Sequence, residues 1–171
     1  MPNWAEGNIR FRGNRENIIH FLIENLKGVY ELKDEEIQLR PIYIEENCGG
    51  EELVLAKDPD TSDAVYFNQS RRQFIDFDFE REICAEFSST KGFSRDDQVL
   101  FLPGFRGAWE VDSEYFNKKA IEYRIDIRIF VWELGMQWSS VKTFFRNGET
   151  EEEKRTYADW MWDCSMPTYG G

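Results

Sequence analysis

The amino-acid sequence predicts an α+β protein with a ferredoxin-like fold, in which two helices cover one face of an antiparallel sheet. Three observations predict it. Apolar and polar residues alternate through residues 124–131. One amphipathic segment covers residues 15–27 and a second runs from a cap at Asp112 or Ser113 to the central strand, so the predicted elements follow the order strand, helix, strands, helix, strand. That order is the split β-α-β-β-α-β unit, and we expect residues 1–171 to form a single domain around it.

The clearest pattern lies in EYRIDIRIFVWELGMQW, residues 122–138. Four β-branched apolar residues alternate with three charged residues and a phenylalanine. The apolar set is Ile125, Ile127, Ile129 and Val131, and the alternate set is Arg124, Asp126, Arg128 and Phe130. Because successive side chains of a strand point to opposite faces, we expect the first set in the core and the second on an open face of the sheet.

The first elements of the chain are a strand and a helix. Residues 8–12 alternate apolar and polar side chains, which predicts a short strand. Asn14 is a good helix cap, and apolar residues then recur at helical spacing over 15–27 until Gly28. We therefore expect an amphipathic helix that covers the sheet.

Acidic residues are concentrated in residues 31–63. This segment has eleven acidic and three basic residues, a net charge of −8 out of −12 for the whole chain. Two strand-like stretches, 37–46 and 52–57, flank a turn at Gly49 and Gly50. We interpret the segment as an acidic insertion into the ferredoxin-like unit.

Further strands and a second helix complete the predicted fold. The strands are 74–80, 83–87, one that starts at Val99 and is ended by Pro103 and Gly104, and, after the central strand, 136–145. Asp112 or Ser113 caps the second helix, which leads to Tyr123. Residues 136–171 are expected to be a C-terminal β extension that returns as a hairpin, continues as an acidic helix or loop and ends in an aromatic tail. The tail residues expected to pack on the body or on a partner are Trp160, Trp162 and Tyr169.

Composition excludes several functional classes. A net charge of −12 and a pI near 4.6 disfavour nonspecific binding to nucleic acid or to an anionic membrane, and favour a basic partner. No apolar run approaches the length of a membrane span, so we expect a soluble, cytoplasmic protein. One histidine and three cysteines without a CxxC motif predict no zinc site and no disulfide framework, and we expect no cofactor.

Three surfaces are candidate sites. The first is an acidic surface for a basic protein, formed by Asp34, Glu35, Glu36, Glu45, Glu46, Glu51 and Glu52. The second is an open sheet face that mixes cations with an aromatic ring, as single-strand-binding sheets do, formed by Arg10, Arg12, Arg124, Arg128 and Phe130.

The third candidate is a row of carboxylates that could hold magnesium for phosphoryl chemistry. Its members are Asp76, Asp78, Glu80 and Asp126. Acidic residues on a strand also pair with cross-strand arginines, and this interpretation is favoured here. No HExxH motif, P-loop or nucleophile elbow accompanies the row, so a nuclease is the weaker alternative and a non-enzymatic role is expected.

Four motifs carry a resemblance to a known family. They are the opening MPNWAEGNIRFRG, the GAW at 107–109, the FVWELGMQW turn and the closing WDCSMPTYGG. The chain resembles the Api-type ferredoxin-like domain family of small phage and integrative-element proteins, although Ala5 stands where its members often have cysteine. The resemblance implies a mobile-element origin and no catalytic residues. It also implies counter-defence: blocking a CRISPR or restriction nuclease in the bacterial cytoplasm by occupying its basic nucleic-acid channel.

Overall fold

The structure is a computed structural model that describes residues 3–31, 37–41, 43–46, 52–56, 64–67, 72–77, 82–89 and 96–164. These residues form twelve strands and three helices. In chain order they are β1 (Trp4–Asn14), α1 (Arg15–Asn25), β2 (Leu26–Glu31), β3 (Ile37–Pro41), β4 (Tyr43–Glu46), β5 (Glu52–Ala56), β6 (Ala64–Phe67), β7 (Gln73–Asp76), β8 (Glu82–Ser89), β9 (Asp97–Ala108), α2 (Ser113–Tyr123), β10 (Asp126–Glu133), β11 (Trp138–Phe144), β12 (Thr150–Thr156) and α3 (Trp160–Asp163).

The strands form one antiparallel network. Its main path runs β12-β11-β10-β1-β9-β7-β6-β2-β3, and a branch runs from β9 through β8 and β5 to β4. The N-terminal strand β1 lies in the middle, paired with β10 on one side and β9 on the other. The strand that begins the chain therefore depends on two strands from its second half.

The ferredoxin-like α+β prediction is wrong, because the structure is a mostly antiparallel β-sheet with three short helices. Two strands, β7 and β6, lie between β9 and β2, and the described parts of residues 31–63 are strands of the sheet. These strands have four or five residues each, too few for a strong alternation. The sequence predicted a single strand over 37–46, which the structure divides into β3 and β4, and pairing between distant strands leaves no local signal.

Both longer helices begin at side-chain caps. Asn14 Oδ1 accepts a hydrogen bond from the Glu16 backbone N–H at 2.9 Å. Asp112 Oδ1 accepts one from the Tyr115 backbone N–H at 3.0 Å. α1 ends at Asn25 and not at residue 27, because Leu26 is already extended and starts β2. The two cap predictions are confirmed.

The core contains the apolar set of the central strand. Ile125, Ile127 and Ile129 are fully buried, whereas Arg128 is exposed, so the predicted register of β10 is confirmed. Aromatic rings from several elements fill the space between the sheet and the helices. They are Phe11, Phe21, Phe67, Phe105, Phe116 and Phe144.

The C-terminal part differs from its prediction in one element. The acidic stretch expected to be a helix or loop forms β12, whose seven residues are all exposed and so carry no apolar signal for a strand. Trp160 is buried, while Trp162 is 86% exposed. Tyr169 lies outside the described residues. No helix in the described ranges is both long and apolar enough to cross a membrane.

Candidate functional site

The open face of the sheet presents two arginines side by side. Arg10 of β1 lies directly opposite Arg128 of β10, and both side chains are exposed. On its other side Arg10 lies opposite Phe101 of β9, with the guanidinium carbon 5.3 Å from the centre of the Phe101 ring. Within the described ranges neither Arg10 nor Arg128 forms an ion pair with a carboxylate. Two neighbouring cations therefore face solvent, and the part of the chain that the structure describes supplies no ion-pair partner for either.

Aromatic rings flank this arginine pair. Phe101 is 41% exposed. Phe130 follows Arg128 by two positions on the same face of β10 and is half-buried. A planar ring and a guanidinium side by side can receive a base and a phosphate together.

A groove runs beside the arginine pair. Its volume is about 420 Å³. Its walls include Arg10, Arg12, Arg128, Thr143, Phe145 and Glu151, and we call this set the arginine groove. A neighbouring hollow of about 380 Å³ begins at Phe101 and extends past Asn8 and Pro103. Together they give the face a concave surface that crosses six strands, from β7 to β12.

The third arginine of the groove is neutralised by a carboxylate. Arg12 Nε donates to Asp126 Oδ2 at 2.8 Å, and its terminal nitrogen lies 2.7 Å from the same oxygen. Arg146 donates to Asp126 Oδ1 through both its backbone N–H and its Nε, each at 3.0 Å. Burial raises the pKa of Asp126, but the hydrogen bonds from Arg146 and Arg12 outweigh it and hold that pKa below its ordinary range. Asp126 therefore stays charged and positions both arginines.

Sequence reasoning missed Arg146. It lies in the turn between β11 and β12, where Gly148 has a φ of 91°. Its guanidinium also contacts Asp97 of β9, at 3.2 and 3.0 Å. The Asn147-Gly148 pair predicts the turn, but nothing in the local sequence shows that the turn folds back over β10.

Arg124, a predicted member of this face, lies elsewhere. It is the residue after α2, in the left-handed conformation with a φ of 55°. It lines a cleft between α1 and α2 together with His20, Glu24 and Tyr123. There Tyr123 donates a hydrogen bond to Glu24, and burial with this bond raises the pKa of Tyr123 to about 12.

The acidic candidate surface is only partly described. Asp34, Glu35, Glu36 and Glu51 lie outside the described residues. Glu45 is exposed on β4, while Glu46 and Glu52 lie in β4 and β5. Among the side chains of this acidic set that the structure describes, Glu45 is the one on the surface.

The structure does not bring the described carboxylates of the metal candidate together. Asp76 lies on β7 and pairs with Arg106 at 3.0 Å. Asp126 lies on β10, three strand spacings from β7 across β9 and β1, which separates the two strands by about 14 Å. The described ranges hold no group of three or more metal-ligating side chains. Two further members of the predicted row, Asp78 and Glu80, lie outside the described residues.

The fold and this face define an antiparallel β protein with a mixed arginine and aromatic surface. No family model, curated protein or solved structure matches the chain. The resemblance to the Api-type family, and the mobile-element origin that it implies, stay predictions.

Proposed function

We propose that the protein binds single-stranded nucleic acid on the open sheet face. The observation that carries the proposal is the cross-strand pair of Arg10 and Arg128, which forms no ion pair with any described carboxylate, beside an exposed Phe101. Arg10 and Arg128 contact phosphates from the arginine groove, and bases stack on Phe101 and Phe130.

The electrostatics of the pair support an anionic ligand. Like charges directly opposite each other on two strands destabilise a sheet. A phosphate between Arg10 and Arg128 would remove that repulsion and accept hydrogen bonds from both guanidinium groups. Binding of an anion is therefore more favourable at this pair of arginines than at two arginines that are far apart.

The acidity of the chain limits the affinity. A net charge of −12 repels phosphates at long range, so binding depends on the contacts at the face. Two phosphate contacts on a single strand give a slope of about −1.4 when the logarithm of the association constant is plotted against that of the salt concentration. We expect a shallow salt dependence compared with that of basic nucleic-acid-binding proteins.

Titration of labelled single-stranded RNA and DNA with the purified protein at two salt concentrations tests the proposal. Arg10→Ala and Arg128→Ala should each weaken binding at least about tenfold, since a hydrogen bond to a charged group contributes about 1.5–3 kcal/mol. Arg124→Ala removes the same charge away from the face and is the matched control, with binding unchanged. Absent wild-type binding, or equal losses in all three variants, contradicts the proposal.

A second candidate follows from the acidity itself: an interaction protein, encoded by a mobile element, that inhibits a CRISPR or restriction nuclease in the cytoplasm of a bacterial host. The specific observation is the exposed Glu45 on β4, within the segment that carries a net charge of −8. Such a surface complements a basic protein channel. The other acidic residues predicted to take part belong to the same segment of sequence: Asp34, Glu35, Glu36, Glu46, Glu51 and Glu52.

The two candidates make opposite demands on charge. Changing Glu35, Glu36, Glu45, Glu46, Glu51 and Glu52 to glutamine should preserve or improve nucleic-acid binding, because it lowers repulsion of the phosphates. The same changes should abolish capture of a basic nuclease from cells that carry defence systems and slow its association with the protein. Capture that survives the glutamine changes would contradict the second candidate.

A further inference from the structure

The strand β12 forms an edge of the sheet. On the main path of the described strands it pairs with β11 alone, and its outer side faces no other strand. All seven of its residues are exposed. An edge of this kind presents unpaired backbone N–H and C=O groups that can receive another strand.

The sequence of β12 is complementary to itself when it runs in the opposite direction. The strand reads Thr-Glu-Glu-Glu-Lys-Arg-Thr, with three acidic residues before two basic ones. If two copies pair antiparallel around a twofold axis at Glu153, Glu151 lies opposite Arg155 of the second copy, and Glu152 lies opposite Lys154 of the second copy. Each opposition occurs twice, so four cross-strand pairs join opposite charges.

Symmetry and charge together select this register. Two side chains that are directly opposed across the dimer lie on the same face of the sheet. The twofold axis must therefore pass through a residue position and not between two residues. An axis at Glu152 places Glu151 opposite Glu153 of the second copy and sets Glu152 against its own copy. An axis at Lys154 keeps only the Glu153–Arg155 oppositions and sets two lysines together. The axis at Glu153 leaves one like-charged contact, between the two copies of that glutamate.

Existing contacts hold these side chains along the strand. Arg155 Nε donates to Glu153 Oε1 at 3.0 Å, which places a cation beside the like-charged contact at the axis. On the other face Glu152 Oε1 accepts a hydrogen bond from Ser140 Oγ at 3.1 Å, and the Lys154 ammonium lies 4.8 Å from the centre of the Trp138 ring. Charged edges usually oppose self-pairing because like charges meet. Here the charge order makes opposite charges meet.

We propose that the protein forms a homodimer through antiparallel pairing of two β12 strands in this register. The inference goes beyond the proposed function and does not rest on it. A twofold axis perpendicular to the sheet keeps both open faces on the same side. At the usual spacing of strands, the two Arg10–Arg128 pairs lie about 30 Å apart across the joined sheet.

Sedimentation equilibrium or light scattering after size exclusion tests the dimer. The wild type should have twice the monomer mass of 20.4 kDa at micromolar concentration. Glu151→Lys/Glu152→Lys and Lys154→Glu/Arg155→Glu each turn the four attractive pairs into repulsive ones. We expect each variant alone to raise the dimer dissociation constant at least about tenfold.

The decisive experiment measures the mass of a mixture of the two charge-reversed variants. In a heterodimer all four opposite-charge pairs are restored, so the mixture should dimerise although neither component does. Glu82→Lys/Glu86→Lys changes the same amount of charge on the exposed side of β8 and should leave the dimer intact. A monomeric wild type, variants that still dimerise alone, or a mixture that stays monomeric overturns the proposal. Circular dichroism confirms that each variant is folded.

Discussion

The carboxylate of Asp126 is a single group on which three parts of the chain converge. Arg12 from β1 and Arg146 from the β11–β12 turn both donate to it, and Arg146 extends the network to Asp97 of β9. Asp126 is only 7% exposed, so losing these partners would leave a buried charge. The network therefore ties the turn to the centre of the sheet.

Asp126→Asn should lower the free energy of unfolding and should also make that free energy depend less on pH in the acid range. The folded-state pKa of Asp126 lies below its unfolded value near 3.8, so the network stabilises the protein above that pH and is lost as the pH falls through the folded-state pKa. At pH 7 we expect a loss of about 3 kcal/mol in the free energy of unfolding. Urea unfolding at pH 7 and pH 3 measures both effects. The variant should lose less stability than the wild type between these values, whereas Glu86→Gln, at an exposed position, should behave like the wild type.

Ile127→Asp and Arg128→Glu should differ sharply although they are neighbours. Ile127 is fully buried, so an aspartate there would bury an unpaired carboxylate at a cost of several kcal/mol and unfold the protein. Arg128→Glu replaces a like-charged contact with Arg10 by an opposite-charged one and should leave the fold intact. Thermal unfolding monitored by circular dichroism distinguishes them. Equal stability would mean that the register of β10 is incorrect.

Alternation predicts which side chains of a strand are buried, but it does not predict exceptions. The positions of Ile127 and Arg128 followed from period two alone. Asp126 occupies a polar position of the same alternation and is nevertheless buried, because Arg146 covers it from a turn 20 residues away. The exposure of Arg10 and Arg128 on the open face was predictable for the same reason. Their direct opposition and the position of Phe101 beside Arg10 were not, since these contacts join residues 118 and 91 positions apart.

At the scale of elements, β1 and β10 approach each other closely at Gly7. A β carbon added there would lie 1.8 Å from the Phe130 carbonyl oxygen. Opposite Gly7, β9 contains a bulge at Gly104, which has a φ of 74°. β1 thus has a close approach to β10 on one side and a bulge of β9 on the other.

Gly7→Ala should therefore weaken the centre of the sheet. The added methyl group can be accommodated only by separating β1 from β10, and we expect a loss of about 2 kcal/mol or more in the free energy of unfolding. Gly107→Ala, on β9, is the matched control because its β carbon would meet no atom closer than 3.4 Å. Denaturant unfolding of both variants decides the matter. A Gly7→Ala protein as stable as the control would show that the strands are farther apart than described.

Elements with an apolar side were predictable, and elements without one were not. β10 and α2 bury a regular stripe, whereas β12 buries nothing and was interpreted as a helix or loop. β12 is a strand because β11 offers it a hydrogen-bonding edge. Its conformation comes from its neighbour and not from its own side chains.

At the scale of the whole molecule, strand order decided the fold. The strands of residues 31–63 looked like an insertion because they are short and lie among acidic residues. In the structure β6 and β7 separate β2 from β9, so the four strands of a ferredoxin-like unit are not contiguous. Which strands become neighbours is a property of the complete chain.

The central place of β1 also determines when the protein can fold. Its partners β9 and β10 come from residues 97–133, and the Arg12–Asp126 contact spans 114 positions. Contacts that are distant in sequence carry a high entropic cost of loop closure, so folding belongs to the slow, millisecond-to-second range. On the ribosome β1 and α1 are complete at Asn25 and must wait for Glu133, and the 108 residues between them take about 5 to 22 seconds at typical synthesis rates. Throughout that interval the apolar side of β1 is uncovered, and the nascent chain is a natural client for chaperones.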